Sequence, residues 1–172
     1  MDRLRQWRGA QIDKDSLNAS CGTVLALPFG PFGIRIADGL VEELCFLPPG
    51  TPLRAPGDEL AERAAAAILA WLDDPRGMPD LPFARRGTPF RQRVWHAISG
   101  IPPGETRSYG ALAQAVGSVP RAVGQACGAN PFPLFVPCHR VTAAADIGGF
   151  ANARGGWLID AKRWLLAHEA GR

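Results

Sequence analysis

The stretch from Asp73 to Gly87 constrains the fold most, because it separates a half with strand patterns from a half with helix patterns. It is rich in proline, glycine and charged residues, which favours irregular connecting chain. The 172 residues suffice for one large domain or two small ones. We therefore predict an α+β fold in two parts, with a small sheet-plus-helix domain at residues 1–80 and a mostly helical domain at residues 88–172.

The first half shows the patterns of short strands followed by a helix. Strands are predicted from Thr23 to Leu27, from Gly33 to Ala37 and from Leu40 to Phe46, with the hairpin signal Asp38-Gly39 joining the last two. A helix is predicted from about Asp58 to Leu72, and its apolar stripe comprises Leu60, Ala64, Ile68, Trp71 and Leu72.

Composition places the chain among globular proteins, with 47% hydrophobic and 20% charged residues. It contains no apolar run long enough to span a membrane, and residues 1–8 lack the apolar core of a secretory signal. We therefore expect a cytoplasmic protein whose four cysteines are reduced thiols. The histidines His96, His139 and His168 are not spaced as zinc ligands, so we expect no metal site.

Positive charge is concentrated in the second half. Residues 1–87 carry 10 Lys and Arg against 12 Asp and Glu, whereas residues 88–172 carry 9 against 4. The asymmetry favours a polyanionic partner for the second half, although solvated surface charge also gives such a pattern.

The second half contains two short predicted helices around a glycine turn. Before them, Thr88-Pro89 is an N-cap with proline at the first helical position, and the apolar face of that first helix comprises Phe90, Val94, Trp95 and Ile98. Ser108 can then cap a helix from Tyr109 to Val116, and Pro120 can begin another that ends near residue 130. With Gly117 in the turn, the pair is a candidate helix-turn-helix, although helical hairpins are common.

The second helix of this pair is slim. Its predicted inward stripe comprises Val123, Ala126 and Cys127, and its small residues are Ala122, Gly124, Gly128 and Ala129. Arg121 and Gln125 share another face. One arginine among small residues suits close approach to a DNA minor groove, whereas a major-groove helix carries several long polar side chains. Small residues equally suit close packing against another helix, so both interpretations stay open.

A cysteine stands beside a histidine in Pro137-Cys138-His139-Arg140, after the apolar run 134–136, which we predict to be a short buried strand. Followed by a glycine-rich stretch, such a cysteine can act as a thiolate nucleophile. In the last predicted helix, Glu169 shares the apolar stripe of Leu158, Ala161 and Leu165. A buried carboxylate needs a partner, for which His139 is suitable; alternatively, Glu169 is exposed near the C-terminus.

Taken together, the second half resembles the O6-alkylguanine-DNA alkyltransferases, the methylated-DNA–protein-cysteine methyltransferase family. The resemblance rests on Gly87-Thr88-Pro89-Phe90, Val94-Trp95, residues 101–106 with Ser108-Tyr109, residues 121–124, Asn130-Pro131, residues 137–141 and residues 162–166. The first half resembles the family's N-terminal domain only in outline. The resemblance implies direct, stoichiometric transfer of an alkyl group from O6-alkylguanine in duplex DNA to Cys138, with O4-alkylthymine as a second candidate substrate.

The resemblance also implies roles for single residues. Cys138 is then the alkyl acceptor, His139 and Glu169 are its activating pair, and Asn130 is the hinge between recognition helix and site. Tyr109 would help to rotate the target nucleotide and would hydrogen-bond the flipped base. No cofactor is implied, the implied partner is double-stranded DNA, and a monomer is the default expectation.

For the DNA, the resemblance implies minor-groove binding, with Arg121 as the finger that fills the vacated stack. The implied DNA-binding residues are Arg121, Ala122, Gly124, Gln125 and Tyr109, and the implied substrate pocket comprises Cys138, Val141, Phe150 and Pro133. The backbone around Cys138 and Val141 would accept hydrogen bonds from the guanine amino group.

The chain departs from the family pattern in two places. The turn between Tyr109 and Arg121 is shorter than in the commonest members, and the loop at residues 151–157 is longer than in the human-type pattern. The second difference concerns the pocket rim and its tolerance of bulky alkyl groups. The main alternative function is that of an alkyltransferase-like lesion-binding protein, which typically has tryptophan where Cys138 stands. A helix-turn-helix regulator would not need the Cys-His pair, and a cysteine hydrolase would leave the helix-turn-helix unexplained.

Overall fold

The computed structural model describes residues 20–171, so the expected absence of a signal core at residues 1–8 lies outside the described residues. The first half forms an antiparallel sheet of β1 (Thr23–Leu27), β2 (Gly30–Ala37) and β3 (Leu40–Phe46), in that order. β1 and β3 have the predicted bounds. β2 begins earlier than predicted, because Gly30 already pairs with Leu27 next to the tight β1–β2 turn.

The local signals of the first half act as the sequence predicts. The β2–β3 hairpin turns at Asp38 and Gly39, whose φ angles of 52° and 73° lie in the left-handed region that this residue pair favours. Helix α1 (Glu59–Asp73) begins after Asp58, whose side chain accepts a hydrogen bond from Ala61 N at 2.8 Å. The buried residues of α1 are Ala61, Ala64, Ala65, Ile68 and Trp71. The predicted stripe members Leu60 and Leu72 are only half-buried.

The second half contains α2 (Pro89–Ser99), α3 (Tyr109–Val116), α4 (Pro120–Gly128) and α5 (Trp157–Ala170). Thr88 and Ser108 cap α2 and α3, as their positions predict. Between α3 and α4, Gly117 adopts a φ of 66°, and Ser118 N donates to Ala113 O at 2.8 Å. This left-handed glycine ends α3, so that α3 and α4 form the predicted helix-turn-helix.

Two short parallel strands connect the helix-turn-helix to the cysteine segment. Strand β4 (Arg107–Ser108) leads directly into α3, and strand β5 (Val141–Thr142) directly follows the one-turn 3₁₀ helix Cys138–Arg140. Because Arg107 pairs with Val141, the first residue of α3, Tyr109, is brought to the same side of the molecule as Cys138.

Residues 134–136 are buried, but the strand predicted there is wrong. The chain instead makes a compact turn, in which Val136 N donates to Phe132 O at 2.8 Å. The side chain of Asn130 holds this turn, since its Nδ2 donates to Val136 O at 2.7 Å and its Oδ1 accepts from Phe132 N at 3.0 Å. These bonds pair backbone groups that a strand would pair with a neighbouring strand.

One hydrophobic core contains residues from both halves of the chain. Residues 74–87 are mostly irregular, as predicted, but they pack on the sheet, because Val41 N donates to Pro82 O at 2.8 Å and Ala84 N donates to Val41 O at 3.0 Å. The division into domains at residues 1–80 and 88–172 stays a prediction. Between residues 20 and 171, no helix has the length and apolarity needed to cross a membrane.

Candidate active site

Cys138 begins the 3₁₀ helix that follows the turn held by Asn130. Its side chain is buried, with 6% of the residue exposed. Burial raises the pKa of the Cys138 thiol, while a hydrogen bond with Asn130 and the positive charge of Lys162 oppose that rise. At rest Cys138 is therefore a neutral thiol, which has to lose its proton before it can act as a nucleophile.

Two cavities meet at Cys138. The helix-side cavity, of about 530 Å³, is lined by residues of the helix-turn-helix that include Tyr109, Arg121 and Gly124. The sheet-side cavity, of about 710 Å³, is lined by residues of β3 together with Pro133 and Trp157. The two cavities share a floor of Cys127, Gly128, Cys138, Phe150, Ala151 and Asn152. Cys138 therefore borders both cavities.

The long loop after Phe150 contributes Ala151 and Asn152 to this shared floor and is held in place by hydrogen bonds. Phe150 and Ala153 exchange two backbone hydrogen bonds of 2.9 and 2.8 Å, and between them Ala151 and Asn152 have φ angles of 47° and 64°. Asn152 Nδ2 then donates to Gly128 O at 3.1 Å. A Cβ at Gly128 would overlap the Asn152 amide, so the contact requires glycine at the end of α4.

The predicted contact between His139 and Glu169 is present, with 2.8 Å between Nε2 and Oε1, and both side chains are buried. Burial alone would raise the pKa of Glu169, but hydrogen bonds from His139 and Arg140 outweigh it and lower that pKa to about 2. Burial also lowers the pKa of His139, so its ring is neutral at rest. Because Glu169 is ionised, His139 Nε2 carries the proton and Nδ1 is left as an acceptor.

Arg140, to which the sequence pattern assigns no role, completes this buried network. Its Nε donates to Glu169 Oε2 at 2.9 Å, and its Nη2 donates to Oε1 at 2.8 Å. The same guanidinium reaches Ile101 O at 2.6 Å and Pro75 O at 2.7 Å. A bidentate pair anchored to two further segments fixes the carboxylate that orients His139.

Lys162 is a second functional candidate that was not assigned a role from the sequence. Its buried ammonium group donates to Val141 O at 2.6 Å, to Ile147 O at 2.7 Å and to Gly149 O at 2.8 Å. Burial lowers the pKa of Lys162 to about 8. The group therefore ties the glycine-rich loop to β5 and places a positive charge near Cys138.

The other predicted site residues lie along the cavities and on the exposed face of α4. Tyr109 lines the helix-side cavity, and its hydroxyl donates to Gly149 O at 3.1 Å. Burial raises the pKa of Tyr109, so the phenol is neutral. Arg121 and Gln125 are exposed on one face of α4, with Ala122 and Gly124 half-buried beside them, and the cavities are lined by Pro133 and Phe150.

Val141 lies behind the cavities rather than at their surface. It is fully buried, its carbonyl accepts the hydrogen bond from Lys162, and its N–H donates to Cys138 O. The two carbonyls predicted to receive the guanine amino group are therefore each already engaged in one hydrogen bond. Each keeps a second lone pair.

The second half of the chain matches a known protein family. The family model described as "6-O-methylguanine DNA methyltransferase, DNA binding domain" matches residues 89–171. The chain is 51% identical over 92 residues to the constitutive methylated-DNA–protein-cysteine methyltransferase of Bacillus subtilis, covering 52% of this chain and 53% of that protein. It is 45% identical over 86 residues to a probable methylated-DNA–protein-cysteine methyltransferase of Acanthamoeba polyphaga mimivirus, covering 49% and 54%. The chain thus spans about half the length of these curated relatives.

Solved structures match over a larger share. The structure of Mycobacterium tuberculosis OGT in complex with DNA matches with a TM-score of 0.69 and 34% identity, covering 87% of this chain and 92% of that one. The M. tuberculosis O6-methylguanine methyltransferase structure matches with a TM-score of 0.67 over the same shares, also at 34% identity. The predicted α+β fold, a small antiparallel sheet with helices, is the fold of these proteins. With this identity over nearly the whole of those chains, the present chain belongs to the O6-methylguanine DNA methyltransferase family.

Proposed function

We propose that this protein repairs duplex DNA by moving the alkyl group of an O6-alkylguanine onto the sulfur of Cys138, once per molecule. One observation carries the proposal: Cys138 lies on the floor shared by two cavities and directly precedes the buried His139 that Glu169 orients. A thiol in a cavity next to an oriented, neutral imidazole has the parts of an activated nucleophile. The curated relatives are named for the same reaction.

The helix-turn-helix supplies the DNA-binding surface in this proposal. Arg121 and Gln125 are exposed on α4, and a Cβ added at Gly124 would meet nothing within 4 Å. The helix surface is thus open at Gly124, and a nucleic acid backbone can approach it closely. A slim helix with a single arginine near its start suits the narrow minor groove better than the major groove.

Nucleotide flipping is part of this proposal because Cys138 is buried. The O6-alkyl carbon of a stacked guanine is out of reach, so the nucleotide has to leave the duplex at a cost of a few kcal/mol. Tyr109 and Arg121 line the same cavity as Cys138. A flipped guanine in the helix-side cavity would bring its alkyl carbon to the sulfur, while the exposed Arg121 at the cavity wall fills the vacated stack.

Activation of the thiol follows from the charges around it. Glu169 holds the Nε2 proton of His139, so the free Nδ1 can take the Cys138 proton through a bridging water. The Lys162 charge and the Asn130 side chain favour the thiolate that forms. Arg140 keeps Glu169 ionised throughout, since it binds both carboxylate oxygens.

The transfer itself is a direct substitution. The sulfur–carbon bond forms as the carbon–oxygen bond of the guanine breaks, and the electron pair stays on the guanine oxygen. The neutral hydroxyl of Tyr109 can donate to that oxygen once it turns from Gly149 O. The lesion is the alkyl donor, so the reaction needs no cofactor. Because the thioether formed on Cys138 does not hydrolyse in neutral water, each molecule acts once.

Restoration of a blocked restriction site tests the proposal from the side of the DNA. A duplex whose site contains O6-methylguanine is incubated with limiting protein and then digested. Cleavage should be restored in proportion to protein, up to one duplex per molecule, for the wild type and for Cys21→Ala, but not for Cys138→Ala. Tight binding of the lesion duplex without restored cleavage would replace the proposal with a lesion-binding protein.

A further inference from the structure

Two cysteine side chains touch in the first half, away from Cys138. Cys21 Sγ and Cys45 Sγ are 3.2 Å apart, and the residues are 1% and 8% exposed. The distance between the two sulfurs is shorter than an ordinary non-bonded contact between two carbon atoms, which is roughly 3.5–4.0 Å. With Val24 and Leu47 they form a small apolar cluster separate from the main core.

The backbone around the pair favours this contact. Cys45 on β3 pairs with Gly33 on β2, and a Cβ at Gly33 would lie 2.6 Å from Cys21 Sγ and 2.9 Å from Cys45 Sγ. Only glycine leaves the space in which the two sulfurs meet. Cys21 is fixed from the other side, since Arg54 Nη1 donates to Cys21 O at 2.7 Å and the backbones of Arg54 and Val24 exchange two hydrogen bonds.

The charges make the two sulfurs unequal. The hydrogen bond between the two thiols lowers the pKa of Cys21, against the opposing effects of burial and Glu43, and Arg35 and Arg54 lower it further. The same hydrogen bond and burial raise the pKa of Cys45. The pKa of Cys21 is thus lowered and that of Cys45 raised, and the thiolate is the form that oxidants attack. Cys45 lines the sheet-side cavity, which gives small oxidants a route to the pair.

We propose that Cys21 and Cys45 form a redox-active dithiol, which hydroperoxides oxidise to a disulfide in preference to Cys138. The two thiols lose two protons and two electrons and form one sulfur–sulfur bond. The oxygen–oxygen bond of hydrogen peroxide takes up both electrons and both protons, which yields two waters. The sulfurs need to approach by only about 1 Å to reach the bonded distance of about 2.05 Å.

Cys138 differs from this pair because its hydrogen-bond partner is the Asn130 side chain and not a second thiol. Burial raises the pKa of Cys138 and of its neighbour Cys127, so neither sulfur offers a thiolate at rest. The disulfide would tie the residues before β1 to β3, whose end forms a wall of the sheet-side cavity. The oxidised protein is therefore expected to retain Cys138 as a thiol that still reacts in the proposed alkyl transfer.

Peroxide titration of the full chain tests this proposal without DNA. The protein is treated with one equivalent of hydrogen peroxide, denatured in excess N-ethylmaleimide, and analysed by intact mass and peptide mapping. We expect two maleimides fewer than in the reduced protein, a Cys21–Cys45 peptide link, and a rise in Tm of about 5 °C or more. A link that involves Cys138 or Cys127, or oxidised Cys138 beside reduced Cys21 and Cys45, would overturn the proposal.

Matched variants sharpen the result. Cys21→Ser should abolish the loss of maleimide sites, whereas Cys127→Ser, another buried thiol, should leave it unchanged. Gly33→Ala keeps both thiols but pushes them apart, and it should slow disulfide formation at least tenfold. Phenylarsine oxide, which bridges close dithiols, serves as a second probe: one molecule should bind per chain, and Cys21→Ser should prevent it. Equal arsenical binding by Cys21→Ser would contradict the assignment. Since none of these readouts involves alkyl transfer, failure here is distinguishable from failure of the proposed function.

Discussion

The guanidinium of Arg140 binds both carboxylate oxygens of Glu169, through Nε at 2.9 Å and through Nη2 at 2.8 Å. Both side chains are almost completely buried. Removal of either side chain would therefore leave the other charge buried without its partner, at a large cost in free energy. Since Glu169 also accepts from His139, this ion pair determines which nitrogen of the imidazole is free.

Removing Arg140 should destabilise the protein strongly. In Arg140→Met, Glu169 loses its ion pair but keeps the hydrogen bond with His139. The carbonyls of Ile101 and Pro75 lose their donor. We expect the free energy of unfolding in urea to fall by about 3 kcal/mol. Arg163→Met is the control, because Arg163 makes an exposed pair with Asp160 and its loss should cost less than about 0.5 kcal/mol. Equal effects of the two substitutions would contradict the buried network.

Stability should decrease in acid because of Glu169. Its pKa in the folded protein is about 2, below the value of about 4.3 in an unfolded chain. A depressed carboxyl pKa stabilises the fold fully above about pH 5, and that contribution is lost as the pH falls towards 2. It amounts to about 3 kcal/mol. The difference in unfolding free energy between wild type and Glu169→Gln, measured from pH 7 to pH 2, should therefore shrink with falling pH. A constant difference would show that Glu169 is not held ionised.

Lys162 should set the reactivity of Cys138 from behind the cavity. In Lys162→Met the thiolate loses its nearby positive charge, the carbonyl of Ile147 loses its donor, and that of Gly149 keeps the hydrogen bond from Tyr109. We expect single-turnover transfer to slow about tenfold, with the pKa of Cys138 in its pH profile raised further because the opposing charge is gone. Lys162→Arg, which keeps the charge, should recover part of the rate. An unchanged pH profile with a slower rate would indicate that Lys162 only supports the loop.

Arg121 should affect the rate of alkyl transfer from duplex DNA but not the rate of transfer from a free base. Arg121→Ala removes the exposed side chain that the proposal places in the vacated stack. Transfer from a lesion duplex should fall at least tenfold, whereas transfer from the free base O6-methylguanine should be unchanged. Arg63→Ala, the same charge change on α1, serves as the control for non-specific electrostatics. Equal losses with both substrates would contradict the finger role.

The elements that the sequence predicts well depend on local chemistry. The side chains of Asp58, Thr88 and Ser108 each accept a hydrogen bond from the backbone N–H three residues later. Such helix starts can be predicted because both partners lie close together in the sequence. Glu169 was placed correctly beside His139, because helical periodicity puts it on the buried stripe of α5.

The elements that were missed depend on distant partners. Residues 134–136 have a strand composition, but Val136 bonds to the Asn130 side chain and to Phe132 O in a turn. Arg140 reaches Pro75, 65 residues away, through a contact that no periodicity encodes. Lys162, however, lies four residues after Leu158 and three before Leu165, so its place on the buried stripe was a readable signal.

The central claim concerns the covalent fate of Cys138. Full-length protein is incubated with excess duplex carrying one O6-methylguanine, and its intact mass and modified peptide are recorded. The account predicts a gain of one methyl group per molecule, on Cys138 alone, with no further gain on longer incubation and none in Cys138→Ala. An unchanged mass, or a methyl group on another residue, would contradict it.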